Sequence, residues 1–346
     1  MCRQPLPIKK TFILGCIMLM SMIGCESSDR DKLQFFLKGN SQLRAGEYQE
    51  AIRYYSESLK IDPQFAEGYN NTGIAYYELG QYTQAVDNYN KAILYKPDFT
   101  DAYFNRSNSF YLLRNYKRAL DDLAIVQKDY PDSAYVYFSL GLVHTKLKDY
   151  DQAIEHFTRT LELDAQHYEA YINRGTVRYY QRDYENAEAD LKKALEINPD
   201  EANGYNALSL LYADNNEYMK SLDAVNKALA LDPNDPYYLN NRGYVYIKIG
   251  KLDLAKKDIN LSIKQDPSNA WAYRNKGLLY LAVNDYASAI TYLEQAVVLD
   301  SGVDQLFFFL GQAYHMSGEK RKACEAWKRS ASYNETLGIE AVKEHC

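Results

Sequence analysis

Apolar and small residues along this chain fall in alternating helical stripes, and the stretch from Ala66 to Phe99 shows the pattern in full. Tyr69, Gly73, Tyr76 and Tyr77 recur at i, i+3 and i+4 intervals, as do Tyr82, Ala85, Val86, Tyr89, Ala92 and Ile93. That period predicts two amphipathic helices. Leu79, Gly80 and Gln81 supply a short turn between them, with Gly80 able to take a positive φ. Pro97 ends the second helix, since it has no N–H to donate and disfavours helical backbone in the residue before it. Asp98 or a neighbour is then placed to cap the next helix.

The pattern returns every 34 residues without insertion. Gly39, Gly73, Ser107, Gly141, Gly175, Ser209, Gly243, Gly277 and Gly311 form one series, and Ala51, Ala85, Ala119, Ala153, Ala187, Ser221, Ala255, Ala289 and Ala323 a second. Helices approach to about 8 Å only where side chains are small, so these positions predict a close helix pair in every repeat. A third series, Pro63, Pro97, Pro131, Pro199, Pro233 and Pro267, marks repeat ends, with Ala165 and Ser301 as departures.

The spacing, the small positions, the closing proline and a large residue at the fourth position together resemble the tetratricopeptide repeat family. The family's usual tryptophan at that fourth position is replaced by Phe35, Tyr69, Tyr103, Tyr137, Tyr171, Tyr205, Leu239, Tyr273 and Phe307. Much of the high tyrosine content is thereby core composition. The resemblance implies an all-α, right-handed superhelical solenoid of nine helix-turn-helix repeats over residues 32–335. A stack whose members touch only their neighbours is one solenoid whatever its length, and its apolar end needs a cover. Residues 336–346 are expected to supply it as a helix with Leu337, Ala341 and Val342 on one face.

Residues 1–24 differ in kind. Arg3, Lys9 and Lys10 precede an apolar run from Thr11 to Gly24, the layout of an export signal. The run is short of the roughly 20 residues that a membrane-spanning helix requires. Met22, Ile23, Gly24 and Cys25 resemble a bacterial lipobox, which implies acylation of Cys25 after cleavage. Residues 26–31 then read as a short polar tether, and the absence of an aspartate directly after Cys25 implies an outer-membrane address.

Loss of the signal takes the formal charge from −6 to −9. No stripe of Lys and Arg is evident, so nucleic acid is not expected as a partner. Of the five cysteines, Cys2 and Cys16 leave with the signal and Cys25 is acylated, which leaves Cys324 and Cys346 as a disulfide candidate in an oxidising compartment.

Enzymatic chemistry is not expected. His144, His156, His167, His315 and His345 share no metal-ligand spacing, and neither a phosphate-binding glycine loop nor a Gly-x-Ser-x-Gly elbow is present. Asp121-Asp122 and Lys256-Lys257 read as solvated charge on outer helices. No metal or cofactor is implied.

The resemblance points instead to the first helix of each repeat, whose positions 2, 5, 6, 9, 12 and 13 line the concave groove. Position 6 holds Asn71, Asn105, Asn173, Asn241 and Asn275. An asparagine can donate and accept at once, which matches one peptide group of an extended chain. Tyr77, Phe104, Tyr111, Tyr179, Tyr237 and Trp271 occupy other inward positions and would add stacking area. The expected function is a lipid-anchored, non-enzymatic scaffold that holds an extended peptide or a partner helix in this groove. The alternatives are an assembly factor for an outer-membrane machine, resembling pilotins, and glycan binding by the aromatic face. Family members that clamp acidic carboxyl termini use Lys and Arg at positions 2, 5 and 6, where this chain has Arg274 alone.

Overall fold

A computed structural model describes the backbone from residue 14 and side chains from residue 29. The first thirteen residues of the expected signal lie outside it, as does the side chain of Cys25. Among the described residues there are nineteen helices and no strand. They form two compact bodies, one ending at Ala165 and the other running from Gln166 to Cys346.

The N-terminal body contains α1 (Leu14–Arg44), α2 (Tyr48–Ile61), α3 (Ala66–Glu78), α4 (Tyr82–Tyr95), α5 (Thr100–Leu112), α6 (Tyr116–Asp129), α7 (Ala134–Lys146) and α8 (Tyr150–Leu163). The C-terminal body contains α9 (Tyr168–Tyr180), α10 (Tyr184–Ile197), α11 (Ala202–Asp214), α12 (Tyr218–Leu231), α13 (Pro236–Lys248) and α14 (Leu252–Gln265). It continues with α15 (Ala270–Ala282), α16 (Tyr286–Leu299), α17 (Leu306–Met316), α18 (Lys320–Ser332) and α19 (Thr336–His345). Odd-numbered helices up to α17 are the first members of their pairs and even-numbered ones the second. α1 continues through residues 26–31, so the segment expected as a tether is helical in the full chain. Among the described residues no helix is long and apolar enough to cross a membrane.

Each pair closes where the sequence places its small residues: a Cβ at Gly175 would stand 3.1 Å from Ala187 O and one at Gly277 3.3 Å from Ala289 O. A Cβ at Gly73 would stand 2.5 Å from the ring of Tyr89, and one at Gly311 would stand 2.5 Å from Trp327. The glycine therefore makes room for a large residue sixteen positions later, while Ala85, fully buried, lets the same helices approach one turn away. Ser107 and Ser209 take the glycine's place, and the Ser209 hydroxyl lies 3.0 Å from that of Ser221, also a departure from its series. Ser209 and Ser221 thus compensate each other.

The turn between paired helices is left-handed throughout. Gly80 has φ 72°, and Arg114, Lys148, Arg182, Asn216 and Asn284 hold the same conformation at 34-residue steps. In the first of these turns Gln81 N–H donates to Tyr76 O at 2.9 Å and Gly80 N–H to Tyr77 O at 2.9 Å. These bonds satisfy the carbonyls at the end of α3 and hold the left-handed residue in place. The conformation costs a non-glycine residue roughly 1–2 kcal/mol, so five repeats carry a strain the others avoid.

Asp122 corrects the reading of the outer helices as simply solvated. It is 4% exposed, and both of its oxygens accept from Arg106, at 2.8 and 2.7 Å. Burial holds its carboxyl above the ordinary value in spite of the guanidinium, the larger effect being desolvation. The same pair recurs as Arg174–Asp190 and Arg242–Asp258, that is, in every second repeat. In an intervening repeat Lys276 lies over the ring of Tyr292 instead. The period of this interaction is thus two repeats. Lys256 and Lys257 are exposed, as expected.

At the C-terminal end α19 lies on α18. Ala341 is buried and Val342 packs against the same core, but Leu337 is 40% exposed. Gly338 takes over the close approach, where a Cβ would meet the Ser330 side chain at 2.1 Å.

Candidate functional site

First helices of successive repeats are joined by asparagine side chains. In the N-terminal body Asn71 Nδ2 donates to Asn40 Oδ1 at 2.8 Å, Asn70 Nδ2 to Asn71 Oδ1 at 3.1 Å, and Asn105 Nδ2 to Asn70 Oδ1 at 3.1 Å. Tyr55 O–H also donates to Asn40 Oδ1, and burial pushes its phenol up to about 12. In the C-terminal body Asn241 Nδ2 donates to Asn206 Oδ1 at 2.8 Å, Asn240 Nδ2 to Asn241 Oδ1 at 3.5 Å, and Asn275 Nδ2 to Asn240 Oδ1 at 2.8 Å. The C-terminal chain runs through positions 5 and 6 alternately, and the N-terminal one does so after starting from Asn40 at position 9. The sequence reading had the position 6 asparagines and missed their partners at position 5, Asn70, Asn206 and Asn240, although the paired Asn-Asn dipeptides at 70–71 and 240–241 were a visible signal.

This geometry changes what the asparagines can do. Each bond along a chain uses one of an amide's two N–H groups, so half-buried Asn71 and Asn241 retain a second donor. A carbonyl oxygen has two lone pairs, and the oxygens of half-buried Asn71 and Asn241 can still accept from a ligand's N–H. Asn275 is 2% exposed and sits inside the structure rather than on a groove surface. Asn173 stands outside both chains, with its Nδ2 donating to Glu169 O of its own helix at 2.8 Å.

The aromatic candidates divide by position. Tyr77, Tyr111 and Tyr179, all at position 12, are half-buried, and their rings pack on Tyr82, Tyr116 and Tyr184 of the following helix with centroids 5.5, 5.8 and 6.1 Å apart. Desolvation raises the phenols of Tyr77 and Tyr111. Desolvation, then the hydrogen bond to Asp214, raises that of Tyr179. These rings hold helix pairs together. Position 2 is different: Tyr135 is 63% exposed, Tyr237 51% and Trp271 40%. Phe104 sits between the two classes, half-buried and edge-on to Tyr135 with centroids 5.8 Å apart.

Arg274 is the residue the sequence reading undervalued. It is 6% exposed on α15, and among the described residues no carboxylate pairs with it and its Nε has no hydrogen-bond partner. Its Nη1 donates to Asn275 Oδ1 at 3.1 Å, at the head of the second asparagine chain. Three rings surround the guanidinium, Trp271 and Phe309 at 5.3 Å and Tyr244 at 5.7 Å to the centroids. Desolvation lowers its pKa, against the distant pull of Tyr244, Asp304, Glu335 and Asp214. Cation–π contacts return about 0.5–2 kcal/mol each, against a desolvation penalty of several kcal/mol for a buried ion.

The histidines come together in two pairs that sequence spacing did not suggest. His144 and His156 have ring centroids 5.2 Å apart, and His315 and His345 4.8 Å, with Trp327 beside the second pair. Among the described residues no group of three or more His, Cys, Asp or Glu is arranged to hold a metal ion. Cys324 and Cys346 have Cα atoms 5.6 Å apart, within disulfide reach. A cleft of about 630 Å³ lies elsewhere, among α10, α11 and α12, with Leu195, Tyr205, Tyr212 and Met219 in its wall.

The fold and the asparagine-linked first helices define an all-α helical-repeat protein of the kind that binds other proteins. Models described as tetratricopeptide repeat or TPR repeat match residues 39–80, 73–114, 101–133, 134–167, 168–201, 202–235, 224–257 and 274–334. The chain belongs to the tetratricopeptide repeat family. Among curated protein sequences none matches it.

Solved structures agree at the level of fold. A tetratricopeptide repeat protein from Parabacteroides merdae is 18% identical, with a TM-score of 0.61 over 72% of this chain and 98% of that one. The Cut9 and Hcn1 hetero-tetramer of APC/C gives 14% identity and a TM-score of 0.62, over 90% of this chain and 75% of the other. PilF of Pseudomonas aeruginosa gives 20% and 0.53, over 61% of this chain and 96% of its own.

Proposed function

We propose that this protein is a lipid-anchored, non-catalytic scaffold that holds an extended peptide segment, or one helix of a partner, along the face formed by its first helices. The observation that carries the reading is the exposure, on first helices that also carry an asparagine chain, of Tyr135 in the N-terminal body and of Tyr237 and Trp271 in the C-terminal body. Exposed rings next to a rigid polar line supply apolar area and oriented acceptors to a ligand without requiring the protein to order itself. Half-buried Asn71 and Asn241 can meet both the N–H and the carbonyl groups of a peptide.

The anchor belongs to the same reading. Acylation of Cys25 would fix the chain to a membrane, each buried methylene contributing roughly 0.8 kcal/mol. The absence of aspartate at residue 26 supports an outer-membrane address. The proposed Cys324–Cys346 bond suits an oxidising compartment and would hold α19 on the last pair.

Replacement of Tyr135, Tyr237 and Trp271 together by serine is expected to abolish peptide capture while leaving helicity intact. The same outcome after serine replacement of Tyr77 and Tyr111, with the first set retained, would contradict the assignment. Labelling cells with a fatty-acid analogue should mark the unaltered protein and not Cys25→Ser. An envelope machine misplaced when the protein is removed would favour the assembly-factor alternative, and retention of polysaccharide in a gel shift would favour glycan binding.

A further inference from the structure

The Arg–Asp pair that ties α6, α10 and α14 to their first helices is missing from the repeat built by α11 and α12, where Leu208 and Ala224 occupy the same two positions. Ala224 leaves the space that an aspartate fills elsewhere, and the cleft of about 630 Å³ among α10, α11 and α12 opens against it. Leu195, Leu208 and the rings of Tyr205 and Tyr212 complete an apolar wall. Tyr205, Leu208 and Tyr212 stand at positions 4, 7 and 11 of α11, on the side of that helix opposite to the inward positions. At the lip Met219 is 68% exposed, where the repeats on either side carry Glu185 and Asp253. One surface thus presents a flexible apolar knob beside an apolar hole.

The charges along α12 alternate in sign through Glu217, Lys220, Asp223 and Lys227. Within the chain Lys220 pairs with Glu217 and Lys227 with Asp223, on solvent-facing side chains where such pairs contribute little and are readily exchanged. Laid antiparallel on a second copy, with a two-fold axis opposite residue 222, the series meets its own opposite. Glu217 then falls level with Lys227 of the second copy, and Lys220 with its Asp223 to within one residue. Met219 falls, within one residue, level with Ala224 at the hole.

We propose that the second-helix face centred on α12 is a contact between two copies of this chain, packed antiparallel about a two-fold axis, with Met219 of each copy in the cleft of the other. The 14-residue α12 is about 21 Å long, and a seam of that size belongs with reversible rather than permanent association. No inward position of a first helix takes part, so the contact stands or falls independently of the peptide-holding reading.

The test uses the full mature chain with Cys25→Ser, so that no acyl chain drives association. Sedimentation equilibrium should show a concentration-dependent monomer–dimer equilibrium, roughly tenfold weaker in Met219→Lys. Two charge variants carry the sharper test. Lys220→Glu with Lys227→Glu makes α12 acidic, and Glu217→Lys with Asp223→Lys makes it basic. Each should be monomeric alone, and an equimolar mixture should recover the dimer. Mixing cannot repair a defect within one chain, so recovery separates the contact from a structural role. A parent chain that stays monomeric up to about 1 mM would overturn the proposal. So would a dimer indifferent to Met219→Lys, or a mixture that stays monomeric. A monomer that binds decanoate, with the binding lost in Ala224→Phe, would also overturn it and give the cleft to a small amphiphile.

Discussion

The two bodies build the same asparagine chain and finish it differently. In the N-terminal body the chain ends at half-buried Asn105; in the C-terminal body it ends at buried Asn275 with a guanidinium on its last acceptor. One ladder is a neutral strip, the other is terminated by a charge enclosed in rings. The difference teaches that the repeat dictates where an asparagine sits, while its neighbours one repeat away decide whether it binds, braces or positions.

The comparison can be broken most severely where the bodies should agree. Arg106–Asp122 and Arg242–Asp258 are the same pair in different bodies, a buried carboxylate under a half-buried guanidinium, so Asp122→Ala and Asp258→Ala should each cost about 2 kcal/mol by removing a charge-assisted double hydrogen bond. Urea unfolding that found one of them silent would show that the two-repeat period is not energetic. The proposed disulfide should separate the bodies. Closing 22 residues of sequence, it should stabilise the C-terminal body by roughly 3 kcal/mol on the chain-entropy model. Hydrogen exchange after reduction should show the loss in α17 to α19, with no change in α1 to α8.

A smaller effect probes the ladders directly. Asn240→Ala removes the side-chain acceptor of an amide that is 2% exposed, so it should cost about 2 kcal/mol. Asn105→Ala, at an open chain end, should cost under about 0.5 kcal/mol. Equal costs would mean that the two endings are equivalent after all. The smallest expected effect is a pH response confined to the N-terminal body. Burial, then the neighbouring His144, depresses the pKa of His156 below 6.5, so the unfolded chain binds the extra proton more readily. Stability from this group is present above pH 6.5 and falls as pH drops through the lower folded value. Asp149 and Glu155 oppose the shift. His156→Gln should flatten the acid limb of thermal stability, and an unchanged limb would assign it to other groups.

How much was legible can be judged from particular residues. The glycine and alanine series disclosed every helix pair, because close packing of backbones tolerates few side chains and so leaves a periodic mark. The partner of each glycine was less visible. Tyr89, Phe157, Leu293 and Trp327 differ in kind and share only their place in the repeat. Arg106, Arg174 and Arg242 did show a period of two repeats in the sequence, with Asp122, Asp190 and Asp258 in step, and could have been found. Arg274 could not. Its rings come from α13, α15 and α17, and only the packed structure shows that the groove at that point is narrow enough to bury a cation. Likewise Tyr77 and Tyr237 both read as inward-facing, yet position 12 leans onto the next helix while position 2 does not.

The central claim is that partners meet this protein on its first-helix face. A photo-crosslinking residue placed at Tyr237 on α13, and another at Lys256 on α14, would compare that face with the outer one in intact cells. The account predicts a discrete polypeptide adduct from position 237, reduced in Trp271→Ser, and none from position 256. Adducts of equal yield from both positions, or from 256 alone, would contradict it.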